Sequence, residues 1–92
     1  MMPVHPGRII KRELQGRSLS ANRLALALRV PSGRITMILN GKRALTPETA
    51  LRLARYFGNS AQFWLNLQTS YDLALAEQAI GEKIRAEVDT AA

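Results

Sequence analysis

Apolar residues recur at helical spacing along the whole chain, and strand-like alternation never lasts beyond a few residues. The pattern predicts five helices. The first covers about Pro6 to Leu14, with Ile9, Ile10 and Leu14 as its apolar side, and Gln15-Gly16-Arg17 ends it. Proline suits that first turn because its missing N–H would have had no partner there. Ser20 is placed to cap a second helix, Ala21 to Leu28, whose Leu24, Ala25 and Leu28 turn inward. Pro31 opens a third helix that runs to Asn40 and holds Val30 out of the α region. Ile35, Ile38 and Leu39 form its core side, and Asn40-Gly41 suits a left-handed end. Thr46-Pro47-Glu48 starts a fourth helix with a cap, a first-turn proline and an acid at the positive dipole end. This helix packs down through Ala50, Leu51, Leu53, Ala54 and Phe57 until Gly58. Ser60 caps the fifth, which carries the stripe Trp64, Leu67, Tyr71, Ala74 and Leu75 to about Glu77 or beyond. A last short helix is expected around 82–88, after Gly81, and Thr90-Ala91-Ala92 are expected to fray.

Ninety-two residues accommodate one domain with a small core, so help from a partner subunit is in keeping with the size. The absence of cysteine excludes disulfides, thiolate metal sites and thiol nucleophiles. One histidine and seven acids leave little for a metal cage, and no metal or other cofactor is expected. An enzyme such as a small ribonuclease is disfavoured too. His5 has no acid pair beside it, Glu13 and Glu48 are separated singletons, and the glycines form no phosphate cradle. No run of 18 apolar residues exists, and Met1 to Arg8 lacks the apolar segment of a secretory signal. The expectation is a soluble cytoplasmic domain with no membrane role.

Charge sharpens the picture. Thirteen Lys/Arg against seven Asp/Glu give +6, which favours a polyanionic partner. Residues 1–60 hold eleven of the basic residues and only Glu13 and Glu48, whereas residues 61–92 hold Lys83 and Arg85 against Asp72, Glu77, Glu82, Glu87 and Asp89. The basic part can meet nucleic acid while the acidic tail faces elsewhere. Two segments are expected: residues 1–77, a helical domain that includes the start of the fifth helix, and residues 78–92, an acidic tail that is partly helical or frayed.

The segment Ser20 to Gly41 describes two short helices joined by a tight turn, a helix-turn-helix, with small Ala25 where the helices must approach closely. In that motif the second helix enters a major groove about 12 Å wide while the first lies across the backbone. Three blocks resemble the Cro/phage-repressor family: Ser20-Ala21-Asn22-Arg23-Leu24-Ala25, Val30-Pro31-Ser32-Gly33-Arg34-Ile35-Thr36, and Leu39-Asn40-Gly41-Lys42-Arg43. A narrower resemblance, to HigA antitoxins, is carried by His5-Pro6-Gly7, by Leu39 to Arg43, by Thr46 to Ala54 and by Phe63-Trp64-Leu65-Asn66-Leu67-Gln68-Thr69-Ser70-Tyr71-Asp72-Leu73. It implies an all-α fold, a compact five-helix lambda-repressor-like domain with a C-terminal helical extension. It also implies a homodimer that binds its own double-stranded operator DNA as an autorepressor and neutralises HigB, a ribosome-dependent mRNA endonuclease.

Carried over by position, Ser32, Gly33, Arg34, Thr36 and Met37 of the third helix face the bases. Arg34 is the main reader, because a guanidinium can fork onto guanine O6 and N7. Gly33 offers no side chain, so it carries no direct readout in this reading. Ser20, Asn22, Arg23, Asn40, Lys42 and Arg43 are expected on phosphates, and Trp64, Leu67 and Tyr71 at the dimer interface. Arg8, Lys11, Arg12 and Arg17 are open to DNA or toxin. Two toxin surfaces compete: the acidic C-terminal part, which complements a basic RNA-handling toxin, and the first helix with Ile9 and Ile10 as apolar anchors. The alternative to an antitoxin is a stand-alone phage-like regulator.

Overall fold

Five helices, α1 (Pro6–Gly16), α2 (Ala21–Leu28), α3 (Ser32–Leu39), α4 (Pro47–Phe57) and α5 (Ala61–Glu87), make up the chain in a computed structural model that describes residues 3–91. Among these residues there is no strand. Four helices begin on a side-chain cap. Ser20, Thr46 and Ser60 accept the N–H groups of Arg23, Thr49 and Phe63, and His5 Nδ1 accepts that of Gly7. Each such bond satisfies a donor that the helix itself leaves open, worth about 1 kcal/mol.

One core joins all five helices: Ile10 and Leu14 from α1, Leu24, Ala25 and Leu28 from α2, Ile35 and Ile38 from α3, and Ala50, Leu53 and Ala54 from α4. Leu45 of the α3–α4 loop and Trp64 of α5 complete it. The first turn of α1 lies against the end of α3 so closely that a Cβ on Gly7 would sit 2.0 Å from the Ile38 carbonyl oxygen.

Several boundaries differ from the sequence pattern, each for a local reason. α1 continues through Gly16, where Arg17 caps it by donating to the Gln15 and Glu13 carbonyls. α3 begins at Ser32: Pro31, at φ −60° and ψ 140°, is extended and stays outside the helix as its N-cap. Asn40 caps α3 in right-handed geometry, and Gly41 alone takes the left-handed turn, φ 72°. Leu51, expected in the core, is 63% exposed. Its register places it on the outer side of α4, opposite the Ala50–Leu53–Ala54 side.

The largest difference is α5, which runs unbroken for 27 residues, about 40 Å. No separate helix begins after Gly81, and the expected segment boundary after Glu77 falls inside α5. Glycine in a helix interior costs only about 1 kcal/mol, and Glu77 and Arg85 pair across the Gly81 position. Residues 88–91 are not helical, and the fraying expected at Ala92 lies outside the described residues. Beyond Asp72 the helix leaves the globule, so Leu75 is 41% exposed rather than packed.

Trp64, expected at a dimer interface, is 1% exposed within its own chain. It tilts against Phe57, and its Nε1–H donates to Asn59 Oδ1 at 2.8 Å. The indole therefore belongs to the protomer's core. Leu67 and Tyr71 remain half-buried.

Candidate nucleic-acid interface

The turn between α2 and α3 is closed by backbone bonds. Arg29 takes the left-handed conformation, φ 59°, and the Arg29 and Val30 N–H groups donate to the Leu26 and Ala25 carbonyls. Buried Ala25 lets α3 close down on α2. That packing turns Ile35 and Ile38 inward and sets Ser32, Gly33, Thr36, Met37 and Asn40 on the outer side of α3, all exposed. Thr36 Oγ1 donates back to the Ser32 carbonyl at 3.1 Å, which leaves its oxygen lone pairs for an outside donor. Around Gly33 there is open space for a Cβ. Gly33→Ala should therefore stabilise the chain by about 1 kcal/mol, seen as a higher melting temperature. Unchanged DNA affinity in the same variant is expected if this position reads no base, and a loss would show close backbone approach.

Arg34 differs from its neighbours. Its side chain is only 22% exposed, and its Nη1 lies 3.6 Å from Glu48 Oε1 at the start of α4. The other Glu48 oxygen accepts from Arg52 Nη2 at 3.1 Å and Nε at 3.3 Å, and Arg52 Nη1 donates to the Leu28 carbonyl at 2.9 Å. The guanidinium nearest the reading face is thus tethered through α4 to the end of α2.

The phosphate candidates fall into two groups that flank the exposed side of α3 in sequence. Ser20, Asn22 and Arg23 stand exposed at the start of α2, with the Ser20 hydroxyl hydrogen still free while its oxygen caps the helix. Asn40, Lys42 and Arg43 stand exposed in the loop after α3. Among the described residues no acid lies within ion-pair distance of Arg23, Lys42 or Arg43. The loop is folded back on its helix: the Asn40, Gly41 and Lys42 N–H groups take the Thr36, Ile38 and Met37 carbonyls.

Two buried polar residues hold this loop from below. Gln68 of α5 accepts the Leu45 N–H at 2.8 Å and donates to Asp72 at 3.0 Å. His5 lies under Gly41, stacks edge-on against Tyr71 with ring centroids 4.9 Å apart, and faces the Arg43 main-chain carbonyl. Burial lowers the His5 pKa from its ordinary 6.5, against the opposing pull of the Arg43 carbonyl and the Asp72 charge. Protonation would also put a hydrogen on Nδ1, the atom that caps α1. A base with a depressed folded pKa contributes stability that is complete above the unfolded value and lost as pH falls below it. The melting temperature should drop as pH falls from about 7 to about 5. His5→Asn, which keeps a capping oxygen but does not titrate, should flatten that dependence.

Arg8, Lys11 and Arg12 share the exposed side of α1, and Arg8 and Lys11 line a depression of about 410 Å³ together with His5, Asn40, Gly41 and Tyr71. Arg17 instead pairs with Glu13 and lies over Phe57. Among the described residues no group of three His, Asp or Glu could hold a metal ion. No described helix is long and apolar enough to cross a membrane.

α5 carries apolar residues on two opposite sides. Trp64, Leu67 and Tyr71 follow the core side, whereas Leu73, Ile80 and Ile84 recur on the other, 65%, 46% and 47% exposed, and Val88 follows them as the extended C-cap, 65% exposed. Glu77 and Glu87 flank this second stripe. Sequence reading missed it, although the i, i+7, i+11 spacing was there to find. It also missed the Arg34–Glu48 contact, His5, Gln68 and Gly7. Around Glu48 the i, i+4 pairing with Arg52 had a local signal, whereas its contact with Arg34 had none.

The family model described as "Helix-turn-helix" matches residues 10–64. The chain is 49% identical to an addiction module antidote protein of a HigA family from Coxiella burnetii, with a TM-score of 0.95 over 98% of this chain and 99% of that one. It is 41% identical to Pseudomonas aeruginosa antitoxin HigA, solved with the higBA promoter, with a TM-score of 0.94 over 98% and 99% of the two chains. Virulence-associated protein I of Dichelobacter nodosus is 53% identical over 79 residues, which span 85% of this chain and 73% of that protein.

Proposed function

Because the chain belongs to the HigA family of helix-turn-helix antitoxins, we propose that it is an antitoxin that represses its own operon as a homodimer and neutralises a HigB-type mRNA endonuclease. The observation that carries the DNA half is the outer side of α3. It presents Ser32, Thr36 and Met37, with Arg34 at its edge, between the phosphate candidates Ser20, Asn22 and Arg23 and the loop Asn40, Lys42 and Arg43. A relative 41% identical over nearly the full length was solved with promoter DNA, which supports the same use here. A two-fold dimer would set two such helices about 34 Å apart, one per successive major groove. Leu67 and Tyr71, half-buried on α5, are what remains of the expected dimer stripe.

Reading and clamping separate in one titration series. Arg34→Ala should weaken binding by roughly 1–3 kcal/mol and relax base preference at one position of each half-site. Lys42→Ala should weaken all sequences alike and reduce the salt slope by about one contact per half-site. The probe is the duplex immediately upstream of the chain's own reading frame, with its single-base-pair variants. Equal, sequence-blind losses would make Arg34 a phosphate contact.

For the toxin, the two candidate surfaces are no longer equal. Ile10 is 1% exposed and Ile9 half-buried, so α1 offers mainly its cations, Arg8, Lys11 and Arg12. Distal α5 offers Leu73, Ile80 and Ile84, with Val88 at its C-cap, beside Glu77 and Glu87, whose exposed carboxylates pair with Arg85 and Lys83. A basic RNA-handling toxin is complementary to that surface in charge. Operator binding without protection from the toxin would leave a stand-alone regulator.

A further inference from the structure

We infer that Glu48 is a specificity-determining positioning residue, whose carboxylate holds the Arg34 guanidinium in place for base reading. The inference rests on the operator-binding reading above and assigns a role within it to a residue outside the reading helix. An acid is unexpected so near a surface meant for phosphates. Here it bridges two guanidiniums with its two oxygens, Oε1 toward Arg34 and Oε2 toward Arg52. Arg52 is itself fixed to the Leu28 carbonyl, so the chain of contacts links α2, α4 and α3. The first helix of the motif, α4 and the reading arginine are thereby held as one unit.

The physical consequences have opposite signs on different DNA. A free arginine side chain samples many rotamers, and that freedom is lost when it forks onto a guanine. Restraining it beforehand reduces the loss only where the fork is made. At 3.6 Å the Nη1–Oε1 contact is an ion pair and not a hydrogen bond, so Glu48 takes up none of the guanidinium N–H groups needed for a two-point contact. At the same time the carboxylate, 60% exposed, repels phosphates of any sequence. Glu48 thus gives up general affinity and sharpens discrimination. A residue that served only to start α4 would not separate the two.

Glu48→Gln tests this, because it keeps the size and removes the charge at an exposed position. The probes are a duplex recovered from a random-sequence pool by the wild-type chain, its single-base-pair variants, and an unselected duplex of equal length. The variant should fold with the wild-type melting transition and lose about fivefold or more in the selected-to-unselected affinity ratio. Its affinity for the unselected duplex should rise about twofold. In an Arg34→Ala background the same change should leave the ratio where it was. An unchanged ratio in Glu48→Gln, with Arg34→Ala still collapsing it, overturns the inference and leaves operator reading by Arg34 standing. Parallel losses on both duplexes with a lower melting temperature make Glu48 structural and overturn it as well. If Arg34→Ala leaves discrimination intact, the base-reading role of Arg34 falls and the inference falls with it.

Discussion

Gly7→Ala should lower the melting temperature by about 15 °C or more, the largest loss expected from a glycine-to-alanine change among the chain's six glycines. The added Cβ would lie 2.0 Å from the Ile38 oxygen, 2.9 Å from its carbonyl carbon and 3.1 Å from Leu39 Cα. All three are backbone atoms, so no rotamer change relieves the clash. The first turn of α1 would have to lift from the end of α3. Overpacking of a relaxed core costs about 1–3 kcal/mol, and a contact against fixed backbone belongs at or above the upper end. In a domain this small, that is a large share of a total stability of about 5 kcal/mol or somewhat more. The damage would spread to function, since the lifted turn carries the His5 cap under Gly41. Gly16→Ala is the control: nothing stands within 4 Å of its Cβ, and it should be neutral or mildly stabilising in thermal denaturation. Wild-type stability in Gly7→Ala would contradict the α1–α3 packing.

Replacing both Ile80 and Ile84 by Asp should abolish toxin capture while operator binding and the melting temperature stay close to wild type. Both side chains are nearly half exposed on the part of α5 beyond the globule, so the fold does not depend on them. An interface on this stripe would bury them, and two charges forced into an apolar contact without partners cost several kcal/mol. Co-purification with the toxin reads the first effect, and a gel shift on the upstream duplex reads the second. Loss of operator binding alongside toxin capture would assign the stripe to the dimer instead. Full toxin capture by the double variant would send the search back to the cationic side of α1.

How far the sequence reaches can be judged residue by residue. α2 and α4 are signalled by their caps, Ser20 and Thr46, and by inward Leu24, Leu28, Leu53 and Ala54, because those signals lie within one turn of the element they define. The exposed set Ser32, Gly33, Thr36, Met37 and Asn40 follows from period alone once Ile35 and Ile38 are inside. What failed was information that is not local. Trp64 has the same spacing whether it faces a partner or its own Phe57 and Asn59, and only the closed fold decides. Gly81 looks like a stop, yet the Glu77–Arg85 pair spans it and the helix continues. Arg34 looks free until α4 folds back and brings Glu48, fourteen positions later, to within 3.6 Å. His5 and Gln68 have no sequence pattern that announces them, because each acts on a loop more than 20 residues away.

The antitoxin claim is tested most directly by mRNA cleavage in a cell-free translation mixture, using a HigB-type toxin encoded beside this chain. Cleavage should stop when the chain is added in amounts equimolar with the toxin. The Arg34→Ala, Lys42→Ala double variant should protect equally well, since neither residue belongs to the toxin surface proposed on distal α5. Cleavage that continues unchanged in a several-fold excess of folded chain would contradict the account.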